Sequence, residues 1–272
     1  MKNFRRIVWV GVIAGLVMAC TPEPKGLGKN LSYWVEKVDS DDDLDRRRAC
    51  EAFIEIGEPA AIAAEKVGLL LDDINPGVQA IATRALAAMG PKAFPVLEAR
   101  LDDTVPHIRL RAGMALLEAN PGHTKAKDVV FGAFTGLGNA ELAKQATEFI
   151  LRRKTEQVDL LLRGLDSNFD DVREIAARSI GKLEKHGVAA SEALIKVSKD
   201  EATKVKVRTT SLKALAAVAP REVSEPVFNE LVDSQIEAVA DTSGLMLRFI
   251  GAREGITGNE GGVAPEGDPL IE

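Results

Sequence analysis

At 272 residues the chain is long enough for one large domain or two small ones. Charged residues at 28 % beside 46 % hydrophobic exclude a disordered polymer, and aromatics at only 4 %, with abundant Ala, Leu, Glu, Lys and Arg, favour helix. A net charge of −6 offers no basic stripe and argues against nucleic acid as a partner.

Lys2, Arg5 and Arg6 open the chain, an apolar run fills 7–19, and Cys20 ends it. The run is too short for an ordinary membrane span, which takes about 20 residues, and fits a secretory leader. Leu16-Val17-Met18-Ala19-Cys20 resembles the lipobox of bacterial lipoproteins, in which a small residue precedes the modified cysteine. The resemblance implies that 1–19 is a signal peptide, cut after Ala19. It also implies that Cys20 carries a diacylglyceryl group on sulfur and an acyl group on its new amine. Val17 is acceptable in that pattern, Met18 is slightly unusual, and Thr21 in place of Asp implies an outer membrane, facing the periplasm. At about 0.8 kcal/mol per buried methylene, several acyl chains hold a protein far better than one. The following stretch, 20–30, is rich in Pro and Gly and reads as a short tether.

Helical periodicity begins at Leu31, with Trp34, Val35 and Val38 completing one face and Asn30 as the expected N-cap. From there a unit recurs whose centre is an apolar residue, a small residue four later and an apolar residue four after that. Val78/Ala82/Leu86, Ile108/Ala112/Leu116, Leu142/Ala146/Ile150, Val172/Ala176/Ile180 and Val207/Ser211/Leu215 are clean copies. Asp45/Ala49/Phe53 and Val239/Ser243/Leu247 are looser ones. The small residues recur every 30–35 positions, the period of a solenoid. Breaks at Gly57-Glu-Pro59, Gly90-Pro91, Asn120-Pro-Gly122, Lys185-His-Gly187 and Ala219-Pro220 divide each unit into two antiparallel helices.

An acid also stands seven residues before a fixed position that is often arginine. The pairs are Asp39 and Arg46, Asp102 and Arg109, Asp166 and Arg173, and Glu201 and Arg208. Asp72 and Asp233 keep the acid alone, and the fourth unit, with Gly136 and Ala143, has neither. This pattern resembles the HEAT-repeat family, particularly the short HEAT-like repeats associated with phycobilisome lyases. The resemblance covers roughly 31–252 and implies an all-α superhelix of about seven helix pairs, with these acids and arginines as a structural ladder. A helix pair cannot bury its own apolar face, so stacking is what stabilises such a body. Residues 253–272, rich in Gly, Pro and acid, read as a disordered tail.

No catalytic motif emerges, since the chain has no Gly-x-Ser-x-Gly elbow, P-loop or Cys-x-x-Cys. The acidic run 39–45 fails as an EF-hand loop, because Leu44 and Cys50 occupy the positions that need Gly and Glu. His107, His123 and His186 lack ligand spacing, so neither metal nor cofactor is expected, and Cys50 reads as a small core residue. Trp34 fits the core and Tyr33 stays open. Lys92, Arg100, Lys127, Arg163, Lys196 and Asn229, on the second helices, form the candidate binding surface. The expectation is a non-enzymatic, lipid-anchored envelope scaffold for a protein or peptide. An enzyme or chromophore handler of the lyase kind, and a polysaccharide binder, are the alternatives.

Overall fold

The computed structural model describes residues 22–136 and 139–257, for 155 and 253–257 through the backbone alone. The expected signal peptide, Cys20 and residues 258–272 lie outside the described residues. A hairpin of β1 (Lys25–Gly26) and β2 (Lys29–Asn30) leads into α1 (Leu31–Lys37). Six helix pairs follow among the described residues. They are α2 (Asp43–Ile56) with α3 (Ala64–Leu69), α4 (Pro76–Ala88) with α5 (Phe94–Arg100), and α6 (Pro106–Ala119) with α7 (Thr124–Phe134). Next come α8 (Ala140–Arg153) with α9 (Val158–Leu165), α10 (Asp170–Gly181) with α11 (Ser191–Lys199), and α12 (Val205–Val218) with α13 (Arg221–Leu231). A last first-type helix, α14 (Glu237–Thr257), has no second helix after it among the described residues.

First helices form one row, with α2 on α4, α4 on α6, α10 on α12 and α12 on α14. Second helices form another, with α3 on α5, α7 on α9, α9 on α11 and α11 on α13. The architecture is the expected all-α solenoid, as six complete pairs with α1 and α14 at its ends. The small-residue column explains the stacking. Ala49, Ala82, Ala112, Ala146, Ala176, Ser211 and Ser243 are all fully buried, so a longer side chain at any of them would push neighbouring helices apart. Larger apolar side chains of the same helices, among them Phe53, Leu86, Leu116 and Ile150, fill the space between rows with no exposure.

Helix ends follow local chemistry. Asn75 and Asn139 cap α4 and α8 by accepting backbone N–H bonds, and Gly57 and Gly90 turn the chain with φ of 72° and 65°. At the matching turn after α8, Lys154 takes φ 49° without being glycine, a strained choice for an L side chain.

Two boundaries depart from expectation. Most of the expected tether is folded: Trp34 Nε1 donates to the Gly26 carbonyl at 2.6 Å, the Leu27 amide to Glu55 at 2.8 Å, and the Leu31 amide to Pro24 at 2.9 Å. The buried indole needs an acceptor, and the hairpin supplies it. Gly26 lies so close to α2 that a Cβ there would meet the Ala52 carbonyl oxygen at 2.6 Å. Asn30 precedes α1 without making a side-chain cap. At the other end, α14 continues to Thr257, past the expected limit at 252.

Candidate partner-binding surface

The acids and arginines of the repeat form a spine, with partners other than those the seven-residue spacing suggests. Arg46 donates from Nε and Nη2 to the two carboxylate oxygens of Asp73, at 2.6 and 2.9 Å, and from Nη1 to the Ser40 carbonyl at 2.8 Å. Asp39, seven residues earlier, is exposed and pairs with Lys66. Asp102 likewise points outward to Lys125, at 2.5 Å. Asp166 and Glu201 are exposed. The loop geometry explains the shift, because it turns the residue after the expected acid, Asp73 beside Asp72, toward the preceding arginine.

The spine continues through Gln79, which donates to the Asp73 carbonyl at 2.5 Å. Arg111 then reaches Gln79 Oε1 at 2.5 Å and the Leu71 carbonyl at 3.0 Å. Arg109 instead caps its own loop at the Asp103 and Thr104 carbonyls. Farther on, Arg173 reaches Asp170 and the Thr203 hydroxyl, while buried Arg208 donates Nε to the Ser198 carbonyl at 2.9 Å. Burial would raise the Asp73 carboxyl, but the Arg46 bonds and the Asn75 amide outweigh it and hold it below the usual range. Burial pushes the Cys50 thiol up to about 12, so it is inert at neutral pH.

The second-helix row carries the expected surface residues, and most are already engaged. Lys92 pairs with Glu58 at 3.0 Å and Arg100 with Asp103 at 3.3 Å. Lys127 reaches Asp159 and Arg163 reaches Asp128, both at 2.6 Å, a crossed bracket between α7 and α9. The Arg163 guanidinium also lies 4.1 Å from the Phe131 ring centre. Lys196 and Asn229 are exposed.

The residues missed by charge-based reading are apolar. Ile62 and Leu69, on the turn into α3 and on α3 itself, are 76 % and 63 % exposed. Val188 before α11, Val223 on α13 and Val232 just after it are also exposed. The signal in the sequence for Leu69 and Val223 is an apolar residue off the buried stripe of a short second helix, while Ile62, Val188 and Val232 lie on the turns that flank such helices. A groove of about 370 Å³ beside this row is lined by Val188, Ala217, Pro220 and Ile250 with Lys185 and Arg221. Among the described residues, no group of three or more His, Cys, Asp or Glu is placed to hold a metal ion, and no helix is long and apolar enough to cross a membrane.

Residues 31–117, less than half of the chain, match the family of HEAT repeats. No curated protein matches. Among solved structures, human deoxyhypusine hydroxylase in complex with glycerol is 16 % identical, with 82 % of this chain and 84 % of that chain covered and a TM-score of 0.41. The complex of CpcE and CpcF of phycocyanin lyase from Nostoc is 18 % identical over 85 % and 97 %, with a TM-score of 0.36. A designed armadillo repeat protein in complex with the peptide (KR)4 is 17 % identical over 82 % and 100 %, with a TM-score of 0.31. The segment from α1 into α6 is thus similar to HEAT repeats, and the later helices continue the same two-helix plan beyond the matched residues.

Proposed function

We propose that the chain is a lipid-anchored, non-enzymatic scaffold of a bacterial envelope, binding a protein or peptide along its second-helix row. The observation that carries this reading is the row itself. Ion pairs that run from one repeat to the next hold it in register, and it leaves Ile62, Leu69, Val188 and Val223 out in water. Isolated exposed apolar residues are ordinary, but several along one row offer anchor points for an extended partner. The anchor is Cys20, which places the body at the membrane surface, at the periplasmic face of the outer membrane by the Thr21 pattern.

In-cell crosslinking of the tagged full chain tests the reading. One envelope protein should be captured repeatedly by the wild type, be lost from Ile62→Glu/Leu69→Glu, and be reduced in Cys20→Ala. Capture that is unchanged by the double substitution would remove the second-helix row from the account.

A further inference from the structure

The folded hairpin changes what a lipid on Cys20 does to the body. Glu23, the first residue bonded to the body, is three residues beyond Cys20, a span of at most about 11 Å in extended chain. From Glu23 onward the chain is held against the solenoid: the Ser32 amide and hydroxyl bond Glu23, the Leu31 amide bonds Pro24, and Gly26 is clamped between Trp34 and α2. An anchored body therefore has almost no slack, and one edge must face the lipid.

That edge has the composition of a membrane interface. Leu27, at the hairpin tip with φ 47°, is 49 % exposed, and Tyr33, the chain's one tyrosine, is 40 % exposed. The Tyr33 ring lies 5.7 Å from Lys29 Nζ and 5.9 Å from Lys37 Nζ. Gly28, Lys29, Asn30, Ser32, Tyr33 and Glu36 line an open recess of about 400 Å³. Of the nearby acids, Glu23 is bound to Ser32, Glu55 accepts the Leu27 amide, and Asp45 pairs with Lys37 at 2.7 Å. Glu36 remains on the rim. An amphipathic ring, flanking lysines with long apolar stems and an exposed leucine at a turn tip suit the headgroup layer of a bilayer.

We infer that the hairpin and the first turn of α1 form a foot that sits in the phospholipid headgroup layer, with the six helix pairs stacking away from the membrane. This rests on the anchoring reading above. Leu27 enters the interface, Lys29 meets headgroup phosphate, and Tyr33 lies at the boundary. The second-helix row is then presented to partners at a fixed angle to the membrane, with no flexible leash.

The test uses the acylated full chain in vesicles of phosphatidylethanolamine and phosphatidylglycerol that carry a headgroup-located quencher. A thiol-reactive environment-sensitive fluorophore is placed at Leu27→Cys, at Lys29→Cys in case the turn is disturbed, and at the distant Asn229→Cys. Cys50 is buried and its thiol is inert, so it does not compete for label. Quenching several-fold stronger at 27 and 29 than at 229 is expected. Equal quenching at all three sites in protein that is acylated by intact mass and bound to vesicles overturns the foot and leaves the anchor standing. A mass without acyl chains, with protein left off the vesicles, overturns the anchoring reading and the foot with it.

Discussion

The first three helix pairs and the α8 unit that follows share one column of small buried residues, yet they are joined differently. From α2 to α6 the column is backed by a polar spine in which Arg46, Asp73, Gln79 and Arg111 tie loop to helix across two repeat boundaries. At α8 the corresponding positions are Gly136 and Ala143, and the helix packs on α7, less on α6 and hardly on α10. Its polar ties to α6 are an exposed pair, Arg152 to the Glu118 carboxylate at 2.9 Å, and a long bond from Arg153 Nη2 to the Glu118 carbonyl at 3.5 Å. Near its end Arg153 Nε and Gln157 Oε1 are buried with no partner among the described residues, as Arg173 Nε, Arg208 Nη1 and Ser211 Oγ are farther on. Ala146 is as buried as Ala82, so the small column sets how closely helices approach, while the spine sets how firmly they are held. Beyond α8 the more buried polar ties resume, with Arg173 on the Thr203 hydroxyl at 3.2 Å and Arg208 on the Ser198 carbonyl at 2.9 Å.

The comparison is broken most severely at Asp73. Asp73→Ala leaves the half-buried Arg46 guanidinium without its carboxylate and should cost about 3 kcal/mol in urea unfolding. The pH dependence has a definite sign. The folded carboxyl titrates below its unfolded value, so its contribution is full above about pH 4 and is lost as pH falls through the folded value. Wild type and Asp73→Asn should therefore converge in stability in acid and separate above that range.

Gly26→Val comes next. Its Cβ would strike the Ala52 carbonyl, so the hairpin must shift, at about 1–3 kcal/mol, and Trp34 fluorescence should report its loss of the Gly26 partner. A smaller effect with the opposite sign is expected at the weak junction. Lys154→Gly relieves a positive φ and should stabilise by about 1 kcal/mol, read as a raised midpoint of unfolding. Smallest is Lys127→Ala, which removes an exposed ion pair and should cost less than about 1 kcal/mol.

The solenoid was legible because its signal is repeated: an alanine or serine every 30–35 residues needs no long-range knowledge to be seen. The spine was legible in residue type and not in pairing, since Asp72 and Asp73 are adjacent acids and only the turn decides which one faces Arg46. The expected binding lysines and arginines carry a second signal in their spacing. Lys127 and Asp159 stand 32 residues apart and Asp128 and Arg163 stand 35, one repeat period in each case, so opposite charges at that spacing are brackets between repeats. The hairpin was hidden by composition. Pro and Gly read as a linker until the buried Trp34 indole is seen to need a carbonyl.

Residue-resolved hydrogen exchange on the full chain tests most directly the claim that the spine, and not the small-residue column, decides how firmly the repeats are held. Amides in the middle of α8 should exchange by local opening well before those of α4, α10 and α12. Protection of α8 equal to theirs would contradict the account.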